Sequence, residues 1–233
     1  MIDIQVLGSG SAGNCYRISD GSTTLLLECG IRYKDIQKGV QFKMSEVAGC
    51  LVTHEHGDHC KSLKDVMRAG IDCYMSSGTA SALNIHHHRL KRVKNKEPFQ
   101  IGTWRILPFD VQHDVSEPYG FLLANKAGDK LLFATDTYYI KYRFKDLTHI
   151  MVECNYSVSV LNDNILAGRT PSVMKGRLLR SHFSLENVKE FFKANDLSSL
   201  EEIWLLHLSD SNSNEAQFKK EIMQLTGKAV YIA

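Results

Sequence analysis

The sequence predicts an α/β fold, and three observations carry that prediction. Short apolar runs end in glycine or polar turns throughout the chain, several are separated by segments with helical spacing, and the succession strand, loop, helix, strand repeats. With 233 residues and 43% hydrophobic content the chain can bury a sizeable core. Folds of this length built on two sheets commonly form one domain, so a single domain over residues 1–233 is expected.

Residues 2–7 alternate as a strand, and the turn Gly8-Ser9-Gly10-Ser11-Ala12-Gly13 leads to a second strand at 15–19. By spelling this is a dinucleotide fingerprint, with Glu28 where a ribose-binding acid would lie, but the fingerprint requires a helix to open at its third glycine. Here the turn Asp20-Gly21 and the run Thr23–Leu27 follow instead, which reads as a hairpin. A glycine turn between strands is therefore expected, with backbone N–H groups that could face a phosphate. Residues 33–42 read as a short helix leading to a buried strand at Cys50-Leu51-Val52. Residues 62–70 have helical spacing and a glycine stop, 71–75 read as a strand, and 78–83 as a further short helix.

Residues 99–110 contain two short strands, and strands at 119–125 and 130–134 flank a glycine turn. The segment 148–155 is a buried strand ending at Glu153, and 158–179 is helical with an interruption near Pro171. Ser184 is an N-cap candidate for a helix with Leu185, Val188, Phe191 and Phe192 on one face. A strand then delivers His207 at its end, residues 214–225 form a helix, and 229–232 close the chain as a strand.

Composition excludes several classes. No run approaches the roughly 20 apolar residues that span a bilayer, and the N-terminal residues lack the basic and apolar regions of a secretion signal. Six cysteines are scattered without a C-x-x-C pair, as expected for reduced core thiols. A cytoplasmic protein without membrane attachment is expected. The formal charge of +2 makes no case for a nucleic-acid partner, so any such case must be local. The local candidate is the stretch from Arg89 to Lys96, with five Lys or Arg in eight residues. It reads either as a phosphate-binding rim or as a solvated or strand-edge face. His86, His87 and His88 precede it, but neighbours in a row point in different directions and are not read as ligands. Oligomeric state is not set by the sequence, and a homodimer is left open.

The chemistry concentrates in Leu51-Val52-Thr53-His54-Glu55-His56-Gly57-Asp58-His59, where three imidazoles and a carboxylate follow an apolar run in a turn broken by Gly57. Imidazole and carboxylate suit zinc, manganese or iron. Four such groups exceed the need of one half-open catalytic metal, so two adjacent metals are expected. Downstream, His113 lies at a strand end, Asp136 directly follows an apolar strand, and His182 precedes a helix N-terminus, a natural anion site.

His-x-His-x-Asp-His after a strand resembles the signature of the metallo-β-lactamase superfamily, and with the Gly-Ser-Gly-Ser-Ala-Gly-Asn turn, His113, Asp136, Val-Glu-Cys-Asn, Ser-His-Phe-Ser and His207 the resemblance spans nearly the whole chain. The chain looks most like the YycJ/WalJ-type branch, which is similar in its core to ribonuclease Z. The resemblance implies a four-layer αββα sandwich. It also implies one Zn²⁺ or Mn²⁺ on His54, His56 and His113, a second on Asp58, His59 and His207, and Asp136 as the bridge. Glu28 stands where the family usually has an Asp behind a metal ligand. Glu153 and His182 resemble the acid and histidine paired beside the scissile phosphate; with the metal-ligating Asp58 they are the catalytic residues that the resemblance implies.

The implied activity is phosphodiester hydrolysis, as a nuclease or exonuclease on DNA or RNA. Phage-type cyclic-nucleotide phosphodiesterases are similar in the same way, and a hydrolase of non-phosphate esters or amides would use the same fold. Only 22 residues separate His113 from Asp136, too few for the tRNA-gripping arm of ribonuclease Z.

Overall fold

Turn residues set the topology of the first part of the chain. Strands β1 (Asp3–Gly8) and β2 (Cys15–Ser19) pair antiparallel across the glycine turn, and β2 returns antiparallel to β3 (Thr24–Leu27). In the second turn Asp20 Oδ1 accepts the N–H groups of Ser22 (3.0 Å) and Thr23 (2.8 Å), a local side-chain turn that closes the hairpin. A strand rather than a helix follows Gly13, so the dinucleotide reading fails where expected.

The computed structural model describes residues 2–233 and divides into two compact units. The first comprises the chain up to Asp110 with Val115–Asp129, and the second Val111–Asp114 with Lys130–Ala233.

In the first unit β3 is followed in parallel by β4 (Val47–Leu51), β5 (Cys73–Met75) and β6 (Leu90–Arg92), giving a six-stranded sheet in chain order. Helices α1 (Tyr33–Gly39), α2 (Gly57–Cys60), α3 (Leu63–Arg68) and α4 (Ser77–Ala82) come between these strands. Leu26, Cys50 and Met75 from the sheet share one buried cluster with Ile36, Val66 and Ala80 from the helices. Strands covered this way read as continuous apolar runs rather than alternating ones. Helix α1 stops at Gly39, short of the expected Phe42, because Gln41 and Phe42 adopt φ of +54° and +60°. Strand β6 lies at the sheet edge, and Asp72 pairs with Arg89 (3.1 Å) and Lys91 (3.5 Å). The strand-edge reading of the basic stretch is the one its location supports. The unit also holds an antiparallel meander of β7 (Phe99–Ile101), β8 (Trp104–Asp110) and β9 (Tyr119–Ala124). Fully buried Trp104 donates its indole N–H to the Thr23 carbonyl at 3.1 Å.

The second unit is built on four parallel strands, β10 (Lys130–Ala134), β11 (His149–Glu153), β12 (Glu202–Leu206) and β13 (Ala229–Ile232). Helices α5 (Val158–Leu166) and α6 (Val173–Ser181) flank Pro171 as expected, and α7 (Leu185–Ala194) and α8 (Glu215–Thr226) follow. Ser184 does cap α7, accepting the Asn187 N–H at 3.2 Å. All six cysteines are free and buried. Among the described residues no helix is long and apolar enough to cross a membrane.

Candidate metal centre

In the first unit the histidine motif begins where β4 ends. The expected turn closes as the single helical turn α2, in which the Cys60 N–H bonds the His56 carbonyl (3.1 Å) and the Lys61 N–H that of Gly57 (2.9 Å). His54 Nδ1 lies 2.8 Å from Thr53 Oγ1, and His54 Nε2 lies 3.1 Å from His56 Nδ1. Two nitrogens on one tetrahedral zinc are roughly 3.3 Å apart, given Zn–N bonds of about 2.0–2.1 Å. This pair therefore fits a shared ion.

His59 is fully buried, with Nε2 3.4 Å from Asp58 Oδ2 and 3.2 Å from Asn14 Nδ2. Behind it stands Glu28, also fully buried, whose Oε1 is 3.7 Å from His59 Nδ1 and accepts the Thr53 N–H at 3.2 Å. The longer Glu side chain reaches toward the imidazole from a residue at φ +64°, but stops beyond hydrogen-bond distance of it. Burial raises the Glu28 carboxyl above the usual carboxylate range, against the opposing pull of His59 and Thr53.

Gly30 makes this packing possible. A Cβ there would stand 1.6 Å from the Asp58 carbonyl oxygen and 2.7 Å from His59 N. Gly30→Ala is therefore expected to push the motif backbone away, lowering stability by about 1–3 kcal/mol as overpacking does and reducing bound metal. Thermal melting and metal analysis of the purified variant check both.

In the second unit parallel register does the assembling. Ala134 pairs with Val152, Val152 with Leu205 and Glu153 with Leu206, so Asp136, Glu153 and His207 leave neighbouring strands at one carboxyl end, where open α/β sheets bind ligands. Asp136 and His207 take φ of +46° and +52°, a region L residues rarely adopt and which costs about 1–3 kcal/mol each.

Donor atoms of Asp136, Glu153, His182 and His207 all lie within 4.8 Å of one another. His207 Nδ1 is 2.9 Å from Asp136 Oδ1 and 3.0 Å from Glu153 Oε1. His182 Nδ1 is 2.6 Å from Glu153 Oε1. The other Glu153 oxygen accepts the N–H groups of Thr137 and Phe183, each at 3.0 Å. His113 Nδ1 lies 3.0 Å from the Ser181 carbonyl, which can only accept, so Nδ1 carries hydrogen and Nε2, 3.8 Å from Asp136 Oδ2, is the atom suited to a metal.

Burial would lower the His207 imidazole, but the Asp136 and Glu153 carboxylates outweigh it and push it up to about 10. His182 is raised in the same way by Glu153 and Asp136 against its burial. Burial would raise the Glu153 carboxyl, yet His182 and His207 hold it below the usual range.

Of the candidate residues, His54, His56, Asp58 and His59 lie in the first unit, and His113, Asp136, Glu153, His182 and His207 in the second. Histidine and carboxylate donors of this kind bind divalent metal. His86, His87 and His88 join no metal-capable group among the described residues. Sequence reasoning missed Asn14, Thr53, and the backbone groups of Thr137 and Phe183. Asn14 was legible only as the end of the glycine turn, and main-chain donors leave no mark in a sequence.

Comparison with known proteins identifies relatives and a family. The chain is 27% identical over 242 residues to an exodeoxyribonuclease named YycJ from Bacillus anthracis, covering 96% of this chain and 89% of the relative. It is 28% identical over 228 residues to an exodeoxyribonuclease named WalJ from Streptococcus pneumoniae, covering 89% and 82%. The crystal structure of the metallo-β-lactamase fold protein YhfI from Bacillus subtilis superposes with a TM-score of 0.76 at 16% identity, covering all of this chain and 95% of that one, so the α/β fold class expected from the sequence is the one found. The β-lactamase superfamily domain matches residues 27–187, and the chain belongs to that family.

Proposed function

We propose that this chain is a metal-dependent phosphodiesterase acting as a nuclease, with the exodeoxyribonuclease relatives favouring DNA as substrate. The observation that carries the reading is the 2.6 Å pair of Glu153 and His182 beside the Asp136 and His207 donors, since it places a carboxylate-held, proton-bearing imidazole within a cluster of metal-capable groups. His54, His56 and His113 would hold one divalent ion and Asp58, His59 and His207 a second, with Asp136 shared; zinc and manganese both suit these donors. When bound, such ions neutralise phosphate charge and make water acidic enough to attack near neutral pH.

The remaining chemistry belongs to the side chains. Glu153 accepts from His182 Nδ1, which fixes the ring and leaves Nε2 to meet a non-bridging phosphate oxygen or the leaving oxygen. As the P–O bond breaks, His182 supplies the proton that the departing oxygen needs. Glu28 packs behind His59, and Asp58 brings negative charge beside it. The two units are proposed to act as one hydrolase domain; the family match supports this because it takes in residues of both. Six free cysteines support a reducing, cytoplasmic setting.

Side-by-side assays of the metal-loaded protein on single-stranded DNA, RNA and cyclic mononucleotides test the reading. Cleavage of a polymer is expected to be fastest, and Asp136→Ala is expected to abolish it along with most of the bound metal. A metal-replete protein that hydrolyses none of these diesters would sink the proposal.

A further inference from the structure

Directly after Asp136 the chain runs Thr137-Tyr138-Tyr139-Ile140-Lys141-Tyr142-Arg143-Phe144-Lys145, in which aromatic and basic side chains interleave. The segment alternates in exposure. Ile140 is buried and Tyr142 and Phe144 are half-buried, while Tyr139 (55% exposed), Lys141, Arg143 and Lys145 face outward. Helix α7 tethers it at both ends: Asn187 Nδ2 donates to the Tyr138 carbonyl at 3.2 Å, and the Phe144 N–H donates to Asn195 Oδ1 at 2.7 Å. Between these ties lies an open cavity of about 260 Å³, bordered by Tyr139, Tyr142, Phe183 and Phe191 and by the cations Lys141 and Arg143. The one acid on its border, Glu190, is paired with Lys193 at 2.7 Å.

We propose that this groove is a strand-binding subsite, which seats one unpaired nucleobase against its tyrosines while Lys141, Arg143 and Lys145 take the flanking phosphates. Resting on the nuclease reading, it names the substrate as a single-stranded end. Three features fix the occupant. The cavity is smaller than the roughly 300–1,000 Å³ of a pocket that encloses a drug-sized molecule, so it suits one base rather than a whole cofactor. Aromatic faces beside a row of cations are the combination that binds single strands without sequence preference, through stacking and phosphate neutralisation. Lys141 Nζ lies 5.2 Å from the Tyr142 ring centre, so the cation and the stacking face already stand together. The segment starts one residue after Asp136, and Phe183 on the cavity wall follows His182. A strand held here is therefore anchored beside residues proposed to act on its phosphate.

The test is equilibrium binding, by fluorescence anisotropy, of phosphorothioate-linked dT and rU dodecamers that resist hydrolysis. Tyr139→Ala and Tyr142→Ala are each expected to weaken binding about tenfold. The double variant K141A/R143A is expected to flatten the dependence of log K on log salt by about 0.7 per residue removed. Lys220→Ala, on exposed α8, should bind as wild type. A deficit with either dodecamer supports the subsite, and the larger deficit identifies the sugar. Unchanged affinity and salt slope in the Tyr139→Ala and K141A/R143A proteins, both altered at exposed positions that folding tolerates, overturn it, as does a wild-type protein that binds neither dodecamer. A protein that binds them but cleaves no diester would sink the nuclease reading and leave this inference standing.

Discussion

His182→Ala is expected to lower kcat by about 10²- to 10⁴-fold while leaving bound metal at the wild-type level. General acid catalysis is commonly worth that range, and His182 is not among the proposed ligands. Its Nδ1 is held by Glu153 at 2.6 Å, so the ring is fixed before any substrate arrives. Steady-state kinetics on a single-stranded oligonucleotide, with metal content measured on the same preparation, separate the two effects. Wild-type turnover in the variant would remove His182 from the mechanism, and lost metal would recast it as a ligand.

Glu153→Ala should be the most destabilising of the site variants. Its side chain is fully buried and meets four groups: the imidazoles of His182 and His207 and the backbone N–H groups of Thr137 and Phe183. Truncation strands two buried donors, at about 1–3 kcal/mol each. It also removes the counter-charge of His207, and breaking a buried pair typically costs about 3–5 kcal/mol. A loss of at least about 3–5 kcal/mol is therefore expected in urea unfolding, with an unchanged m-value. Glu153→Gln keeps an acceptor for the backbone donors but turns an amide toward the imidazoles, so it should fall between the two. A Glu153→Ala protein within about 1 kcal/mol of wild type would show that Glu153 does not hold these elements together.

Legibility followed the range of the interactions. Strands and helices that bury one continuous run or one helical face, such as β11 and α7, are written locally and were placed to within a few residues. The break at Pro171 and the Ser184 cap are also local chemistry. The motif from His54 to His59 is compact enough to announce metal binding unaided. By contrast, Glu153 reaches partners 29 and 54 residues away, at His182 and His207. Nothing near it marks it as more than the end of a buried strand, and only the resemblance singled it out. The end of α1 is not legible in the sequence, because left-handed residues at Gln41 and Phe42 carry no composition signal. The helical turn α2 was missed because Gly57 reads as a breaker, although at the first position of a short helix it is tolerated.

The left-handed main chain at Asp136 and His207 sets torsional ease against chemistry at the same two residues. Glycine would rest there at lower conformational energy and could hold nothing. Laboratory evolution for heat resistance alone would still keep both side chains. Torsional relief of about 1–3 kcal/mol is smaller than the roughly 3–5 kcal/mol lost with a buried charge partner, so the ion pairs guard the centre against the pull of its own backbone.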